Sequence, residues 1–195
     1  MPLEILERSE SDARVFAWLQ GADDGVLAAV ALAFGRSRYP RDWRCFGLGR
    51  VRPRWLGLGL LAGLAAAAAA GGVSAALAHW GYPAPVHPVE TVLEEASGAG
   101  DVLIVLLTVA LAVPFAEEAF FRGFAYRVLR ARFGPGAAVV TTAVGFALMH
   151  GLAPGAWLPV VPIGLILALL VEGSGSLWPA VAAHATVNVL AVLLP

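Results

Sequence analysis

The sequence predicts an all-α protein that crosses a membrane repeatedly as a bundle of transmembrane helices. Of its 195 residues, 59% are hydrophobic and only 14% are charged, whereas soluble proteins carry about 25% charged residues. The mean hydropathy is +0.77. The apolar residues lie in stretches close to the roughly 20 residues that an α-helix needs to cross a bilayer. The net charge of −1 gives no indication of nucleic-acid binding, so membrane lipid is the predicted surrounding partner.

The first 35 residues are predicted to form a separate N-terminal segment of amphipathic and short apolar character. Residues 1–23 are polar to amphipathic, and positions 15–19 could form a short helix at the membrane interface. The apolar run Gly25–Gly35 has about half the length that crosses a bilayer. It is expected to be a short or tilted helix, which spans only if it extends back past Asp23 and Asp24.

An arginine-rich loop follows and predicts how the chain is oriented. Residues 36–54 contain seven arginines and one aspartate. Loops on the cytoplasmic side of membrane proteins carry an excess of basic residues, so this loop is predicted to lie in the cytoplasm. The predicted location is the bacterial cytoplasmic membrane, and residues 36–195 are predicted to form one membrane domain.

Five apolar stretches of this domain are predicted to span the membrane. They cover residues 55–80, 102–126, 137–152, 157–171 and 177–194. The first is rich in glycine and alanine, which let helices approach closely, and it is predicted to be a packing helix. The second belongs to a long helix, 101–132, with a break or kink expected at Pro114. A turn at 133–136 leads into the third.

Six polar residues remain inside these spans and are the candidate site residues. They are Glu117, Glu118, Arg122, His150, His184 and Asn188. An ionisable side chain at the bilayer centre costs about 2.5–3.5 kcal/mol on insertion scales. Glu118 and Arg122 stand one helical turn apart and can form an ion pair. Glu117 points about 100° away from that pair and has no partner in the same helix. A carboxylate without a partner inside a membrane is a candidate functional residue.

A depth estimate predicts that these residues can meet. With a rise of about 1.5 Å per residue, Glu117 lies roughly 25 Å back from the turn at 134–136, and His150 lies roughly 20 Å along the next helix. These two depths match within about a helical turn. His184 lies only about 12 Å in from the start of its own span, and helix tilt is expected to bring it level with the other two. Asn188 shares a helix face with His184 because it is four residues further on.

Two carboxylates and two imidazoles that converge in a membrane are compatible with four roles. One is hydrolysis, in which a glutamate activates water, a histidine assists and other donors stabilise the oxyanion. The others are a zinc site, a proton or ion relay, and packing through interhelical hydrogen bonds. Asn188 cannot titrate, which disfavours a pure proton relay. The lack of a His-Glu-x-x-His motif excludes a zincin-type metalloprotease.

Three motifs follow one another through the predicted spans. They are Glu117-Glu118-x-x-x-Arg122-Gly123, Phe146-x-x-x-His150 and His184-x-x-x-Asn188. In this order and approximate spacing they resemble the CPBP family of intramembrane proteases, which includes CAAX prenyl proteases and bacteriocin-processing proteins and is also called the ABI family. The resemblance covers roughly Arg44 to Leu194.

The resemblance implies an endopeptidase whose substrate is a membrane-anchored protein or peptide. In the family's pattern, Glu117 is the general base that activates water, and His150 assists it. Two versions of this chemistry are compatible with the motifs. In the favoured version the glutamate works without a metal ion, since adjacent glutamates rarely both face one ion. In the other version a zinc ion is held by Glu117, His150 and His184.

The resemblance also implies that the remaining motif residues support that reaction. Glu118 with Arg122 would order the site, and His184 with Asn188 would stabilise the tetrahedral oxyanion. Two non-enzymatic functions stay open. One is a scaffold or immunity protein that keeps the fold and binds a peptide, and the other is a small proton-coupled carrier. The sequence leaves the oligomeric state open.

Overall fold

The computed structural model describes residues 12–38, 43–83 and 88–194. Within these ranges the regular structure is helical and contains no strand, which confirms the all-α class. The helices are α1 (Ala13–Arg38), α2 (Pro53–His79), α3 (Pro88–Glu94), α4 (Ala99–Leu107), α5 (Val113–Glu118), α6 (Tyr126–Leu148), α7 (Pro154–Trp157), α8 (Val160–Ser174) and α9 (Trp178–Leu193). A short 3-10 turn, Trp43–Phe46, precedes α2. Two π-helical segments, Thr108–Ala112 and Ala119–Ala125, join α4 to α5 and α5 to α6.

Four helical stretches are long and apolar enough to cross a membrane, which supports the predicted integral membrane protein. They are Ala13–Ser37, Pro53–His79, Ala99–Leu148 and Pro154–Ser174. The shorter apolar helix Trp178–Leu193 accompanies them in the part of the chain that the structure describes.

The N-terminal segment takes the longer of the forms that the sequence left open. Of a short helix over Gly25–Gly35 and one extended back past Asp23 and Asp24, the structure has the second, because α1 is a continuous helix of 26 residues. Hydropathy underestimates its length because Asp24 interrupts the apolar run. In the folded chain Asp24 is buried, with 5% of its surface exposed, and accepts a hydrogen bond from Gln20. Helix α1 packs against α4, α5 and the second π segment and is a full member of the bundle.

The helical stretch Ala99–Leu148 is folded back on itself. Gly134 has φ 82° and ψ 171°, outside the helical region, and this conformation favours glycine. The rings of Phe121 and Phe146 lie 5.2 Å apart between centroids, so the chain reverses direction between them. The turn predicted at 133–136 is therefore confirmed.

The kink predicted at Pro114 takes the form of a change in helix type. In the segment Thr108–Ala112 the hydrogen bonds span five residues, and the Val113 N–H bonds to the Thr108 carbonyl. Proline has no N–H to donate, so the wider turn ahead of Pro114 accommodates it without ending the helix. Such π segments are frequent at functional sites, and the second one begins directly after Glu118.

Helix α2 packs closely against α9 through two glycines. A Cβ atom on Gly59 would lie 2.4 Å from the carbonyl oxygen of Pro179. One on Gly63 would lie 2.6 Å from the carbonyl oxygen of Ala183. Glycines at this spacing let helix backbones approach each other in membranes. The contact supports the predicted packing role of α2 and fixes the position of α9, which carries His184.

The substitution Gly63→Ala is expected to destabilise the protein by about 1–3 kcal/mol, the usual cost of overpacking. The new methyl group would meet backbone atoms of α9, which cannot rotate away. Gly57→Ala is the matched control, because a Cβ atom there meets nothing within 4 Å. Thermal unfolding in lipid nanodiscs, followed by circular dichroism, compares the two variants. Equal midpoints would contradict the close contact between α2 and α9.

Candidate active site

The ion pair predicted within the helix is confirmed. Arg122 Nη1 donates to Glu118 Oε1 at 2.9 Å, and both side chains are fully buried. Arg122 Nη2 also donates to the carbonyl oxygen of Gly164 on α8 at 3.0 Å. The guanidinium carbon lies 4.7 Å from the ring centroid of Phe146 on α6. Arg122 therefore ties the helix that carries the glutamates to both α6 and α8.

His184 lies between the two glutamates. Its Nδ1 is 3.2 Å from Glu118 Oε1, and its Nε2 is 3.5 Å from Glu117 Oε2. The histidine is buried, with 3% of its surface exposed. Helices α5 and α9 thus place an imidazole against two adjacent carboxylates. Helix rise alone placed His184 shallower than Glu117, so the packing of α9 against α5 is what brings the two side chains to one level.

Each of the two glutamates keeps one buried oxygen that accepts no hydrogen bond from the described part of the chain. These atoms are Glu117 Oε2 and Glu118 Oε2. A buried polar atom without a hydrogen bond costs about 1–3 kcal/mol. Such atoms call for a functional explanation, and a carboxylate oxygen of this kind can accept a proton from water or bind a polar group of a substrate.

Asn188 bonds to the first π segment. Its Nδ2 donates to the carbonyl oxygen of Val109 at 2.8 Å. Where the hydrogen-bond ladder shifts from four to five residues, a main-chain carbonyl needs another donor, and Asn188 supplies it. The side-chain amide has a second N–H, so the role of Asn188 at the oxyanion stays a prediction.

His150 lies outside the helix that the sequence assigns to it. The predicted third span includes His150, but α6 ends at Leu148 and the histidine is exposed in the following turn. The helix ends here because Gly151 has φ 126°, a conformation that favours glycine. The His150 ring centroid lies 5.0 Å from that of Phe146, which is in turn 5.5 Å from that of His184. Phe146 therefore connects the two histidines.

The six candidate site residues all lie in a segment of the chain that matches a protein-family model. Residues 99–190 match the family model described as Type II CAAX prenyl endopeptidase Rce1-like. We call this matched segment the Rce1-like region. It contains all six candidate site residues, and the match confirms the resemblance to CAAX proteases over residues 99–190. Searches of curated proteins and of solved structures found no match.

Asp24 adds a carboxylate from outside the Rce1-like region. It lies on α1, is buried, and interacts electrostatically with Glu117 and His184. Gln20 Nε2 donates to Asp24 Oδ2 at 3.0 Å. None of the sequence motifs includes Asp24. The signal that could have identified it is the spacing of Gln20 and Asp24, which places two polar side chains on one face of an apolar helix.

A second polar cluster joins the start of α6 to the end of α8. Glu172 accepts hydrogen bonds from the Tyr126 hydroxyl at 2.5 Å and from Arg130 at 2.7 and 2.9 Å. The predicted fourth span ends at residue 171, which leaves Glu172 in the following loop, but α8 continues to Ser174 and ends at Gly175, which has φ 69°. A bidentate arginine–carboxylate pair has a specific geometry, so the cluster fixes how α6 and α8 are aligned.

The zinc ligands predicted from the sequence are not gathered at one point. Glu117 and His184 are neighbours, whereas His150 is exposed beyond the end of α6. Across residues 12–38, 43–83 and 88–194, no three His, Cys, Asp or Glu side chains are arranged to hold a metal ion. The donor set of the Rce1-like region therefore does not fit a zinc ion.

Proposed function

We propose that this protein is an intramembrane endopeptidase in which Glu117 activates water to hydrolyse a peptide bond of a membrane-associated protein or peptide. The observation that carries the proposal is the contact of His184 with both glutamates inside the Rce1-like region. Adjacent carboxylate and imidazole groups are suited to proton transfer. The match of residues 99–190 to the CAAX prenyl endopeptidase model supports this class of reaction.

The proposed reaction adds water to the substrate carbonyl and then releases an amine. The Glu117 carboxylate accepts a proton from water as the water oxygen bonds to the carbonyl carbon. N–H donors of His184 and Asn188 stabilise the oxyanion that forms. The carbon–nitrogen bond then breaks and the leaving nitrogen takes the proton, with His150 assisting from the exposed end of α6. A carboxylate and an amine remain.

Glu118 and Arg122 act in this proposal by positioning other groups. Glu118 contacts both Arg122 and His184, so it orients the imidazole that faces Glu117. Orientation of a catalytic histidine by a buried carboxylate is a recurrent arrangement in hydrolases. Arg122 supplies the opposite charge that a buried carboxylate requires.

A comparison of protein N-termini across the membrane proteome tests the proposal. Three cultures express the wild type, Glu117→Gln, and Glu94→Gln, which changes an exposed glutamate of α3. New N-termini are expected with the wild type and Glu94→Gln only, and their sequences would name the substrate. Identical profiles in all three cultures, with each protein inserted at the same level, would favour a scaffold or a carrier over a protease.

The substitution Asp24→Asn is expected to lower the cleavage rate at least about tenfold, equivalent to about 1.4 kcal/mol in the activation barrier. It keeps the size of the side chain and removes a charge that interacts with Glu117 and His184. Asp23→Asn is the matched control, because its carboxylate is one residue away and exposed. Initial rates on the substrate, at equal protein levels, compare the two variants. Equal rates would place Asp24 outside the reaction.

A further inference from the structure

A second site, separate from the glutamates, lies at the end of the bundle where α2 begins and α8 ends. A cavity of about 340 Å³ lies there, lined by Arg44, Gly49, Arg50, Ser174, Gly175 and Ser176. One wall is the loop that precedes α2, and the other is the connection between α8 and α9. We call it the basic cavity. Its lining includes none of the six candidate site residues.

The two walls of the basic cavity are fastened to each other. The carbonyl oxygen of Gly47 accepts hydrogen bonds from the Leu177 N–H at 2.9 Å and from the Ser176 hydroxyl at 3.3 Å. The Ser174 hydroxyl bonds to the main chain of Ser176 at 3.1 Å. Phe46, next to Gly47, is fully buried in the core. The cavity is therefore held in shape by hydrogen bonds and by core packing.

The basic cavity carries positive charge. Arg44 and Arg50 line it, and none of its six described lining residues is acidic. Glu172, an acidic residue close to the other wall, is already paired with Arg130. An excess of guanidinium groups around a concave surface favours an anionic ligand.

Aromatic and apolar residues place the basic cavity at the level of lipid headgroups. Trp55 stands in the first turn of α2 and packs against Gly173, where an added Cβ atom would lie 3.0 Å from the indole. Trp178 begins α9 and is 37% exposed. Tryptophan concentrates at the boundary between membrane and water. Beyond this level, α2 carries exposed leucines that acyl chains could contact, namely Leu56, Leu58, Leu60, Leu61 and Leu64.

We propose that the basic cavity binds the phosphodiester headgroup of an anionic phospholipid. Guanidinium groups match phosphate oxygens with paired hydrogen bonds, and basic pockets between transmembrane helices bind lipid headgroups. A soluble phosphate has similar chemistry at the anion but has no acyl chains to contact the leucines of α2. A bound headgroup would bridge the two loops that form the walls.

Native mass spectrometry of the full chain in a neutral detergent tests this site, with phosphatidylglycerol and phosphatidylcholine titrated separately. The wild type is expected to bind phosphatidylglycerol at least about tenfold more tightly than phosphatidylcholine. The double variant Arg44→Gln/Arg50→Gln is expected to lose that preference. Arg52→Gln/Arg54→Gln is the matched control, because it removes two charges at the exposed start of α2 and leaves the cavity lining intact. It is expected to keep the preference.

Three results would overturn the proposal. Equal binding of the two lipids by the wild type would remove any selectivity for the anion. An equal loss in both double variants would show diffuse attraction to charge without a site. Displacement of phosphatidylglycerol by the same concentration of inorganic phosphate would identify a soluble ligand. If the cavity double variant does not fold, Arg50→Gln alone gives the answer, because Arg50 is exposed and an unchanged preference would rule out the site. The test measures binding and does not depend on proteolysis.

Discussion

Replacing Glu117 with glutamine is expected to reduce peptide cleavage at least about a thousandfold, within the range that a general base contributes. Glutamine keeps the size of the side chain but cannot accept the proton of the attacking water. The fold should tolerate the change, because the buried Oε2 of Glu117 accepts no hydrogen bond in the described chain. His184, whose Nε2 lies 3.5 Å from Glu117 Oε2, also keeps its contact with Glu118.

The rate of Glu117→Gln is measured on the substrate named by the N-terminal comparison, with equal amounts of folded protein in nanodiscs. Glu94→Gln serves as the control for the loss of one carboxylate and should retain the wild-type rate. A Glu117→Gln rate above about a tenth of the wild-type rate is less than a 1.4 kcal/mol effect. Such a rate would contradict the assignment of Glu117 as the base.

Replacing Arg122 with leucine is expected to destabilise the protein by about 3–5 kcal/mol, because one partner of a buried ion pair would be left alone. The variant also loses the hydrogen bond to the Gly164 carbonyl and the contact with the Phe146 ring. Arg122→Lys should fail to restore stability, since a single ammonium group cannot reproduce the planar fork that reaches both Glu118 and Gly164.

The double variant Glu118→Leu/Arg122→Leu separates charge from packing. Removing both charges leaves no unpaired buried ion, so this variant is expected to recover most of the stability that Arg122→Leu loses. It should remain inactive, because His184 loses the carboxylate that orients it. Thermal unfolding in nanodiscs compares the wild type with Arg122→Leu, Arg122→Lys and the double variant. An Arg122→Leu protein as stable as the wild type would show that the pair has no structural role.

The part of the site that could be predicted from the sequence depends on local geometry. Spacing along a helix is enough to pair Glu118 with Arg122 and to place His184 and Asn188 on one face. Both of these outcomes follow from the fixed geometry of an α-helix. Helix rise alone leaves His184 shallower than Glu117, and its contact with both glutamates depends on how α9 packs.

The part that could not be predicted depends on contacts between distant elements. Asp24 shortens the apolar run of α1, and only its burial against the bundle shows that the helix continues through it. The π segment at Thr108–Ala112 depends on Asn188, which donates to its main chain from another helix. His150 leaves the membrane helix because Gly151 changes the direction of the chain. Hydropathy averages over a window and contains none of this information.

The end of α8 could not be predicted from the sequence for the same reason. Glu172 with the glycines and serines after it has the composition of a flexible loop. The structure extends α8 through it because Tyr126 and Arg130 on α6 bind the carboxylate. The sequence shows many arginines in this part of the chain, but their pairing and the basic cavity between the loops depend on tertiary packing.

Direct activation of water by Glu117 can be distinguished from a covalent mechanism by the oxygen and the groups found at the new carboxyl terminus. The experiment uses wild-type protein in nanodiscs, the identified substrate, water labelled with heavy oxygen, and hydroxylamine. Direct attack by water predicts one labelled oxygen in each new carboxyl terminus and no hydroxamate, with the same rate when a zinc chelator is present. A hydroxamate at the new terminus would reveal a covalent acyl-enzyme instead. A substrate that stays intact under every condition would contradict proteolysis itself.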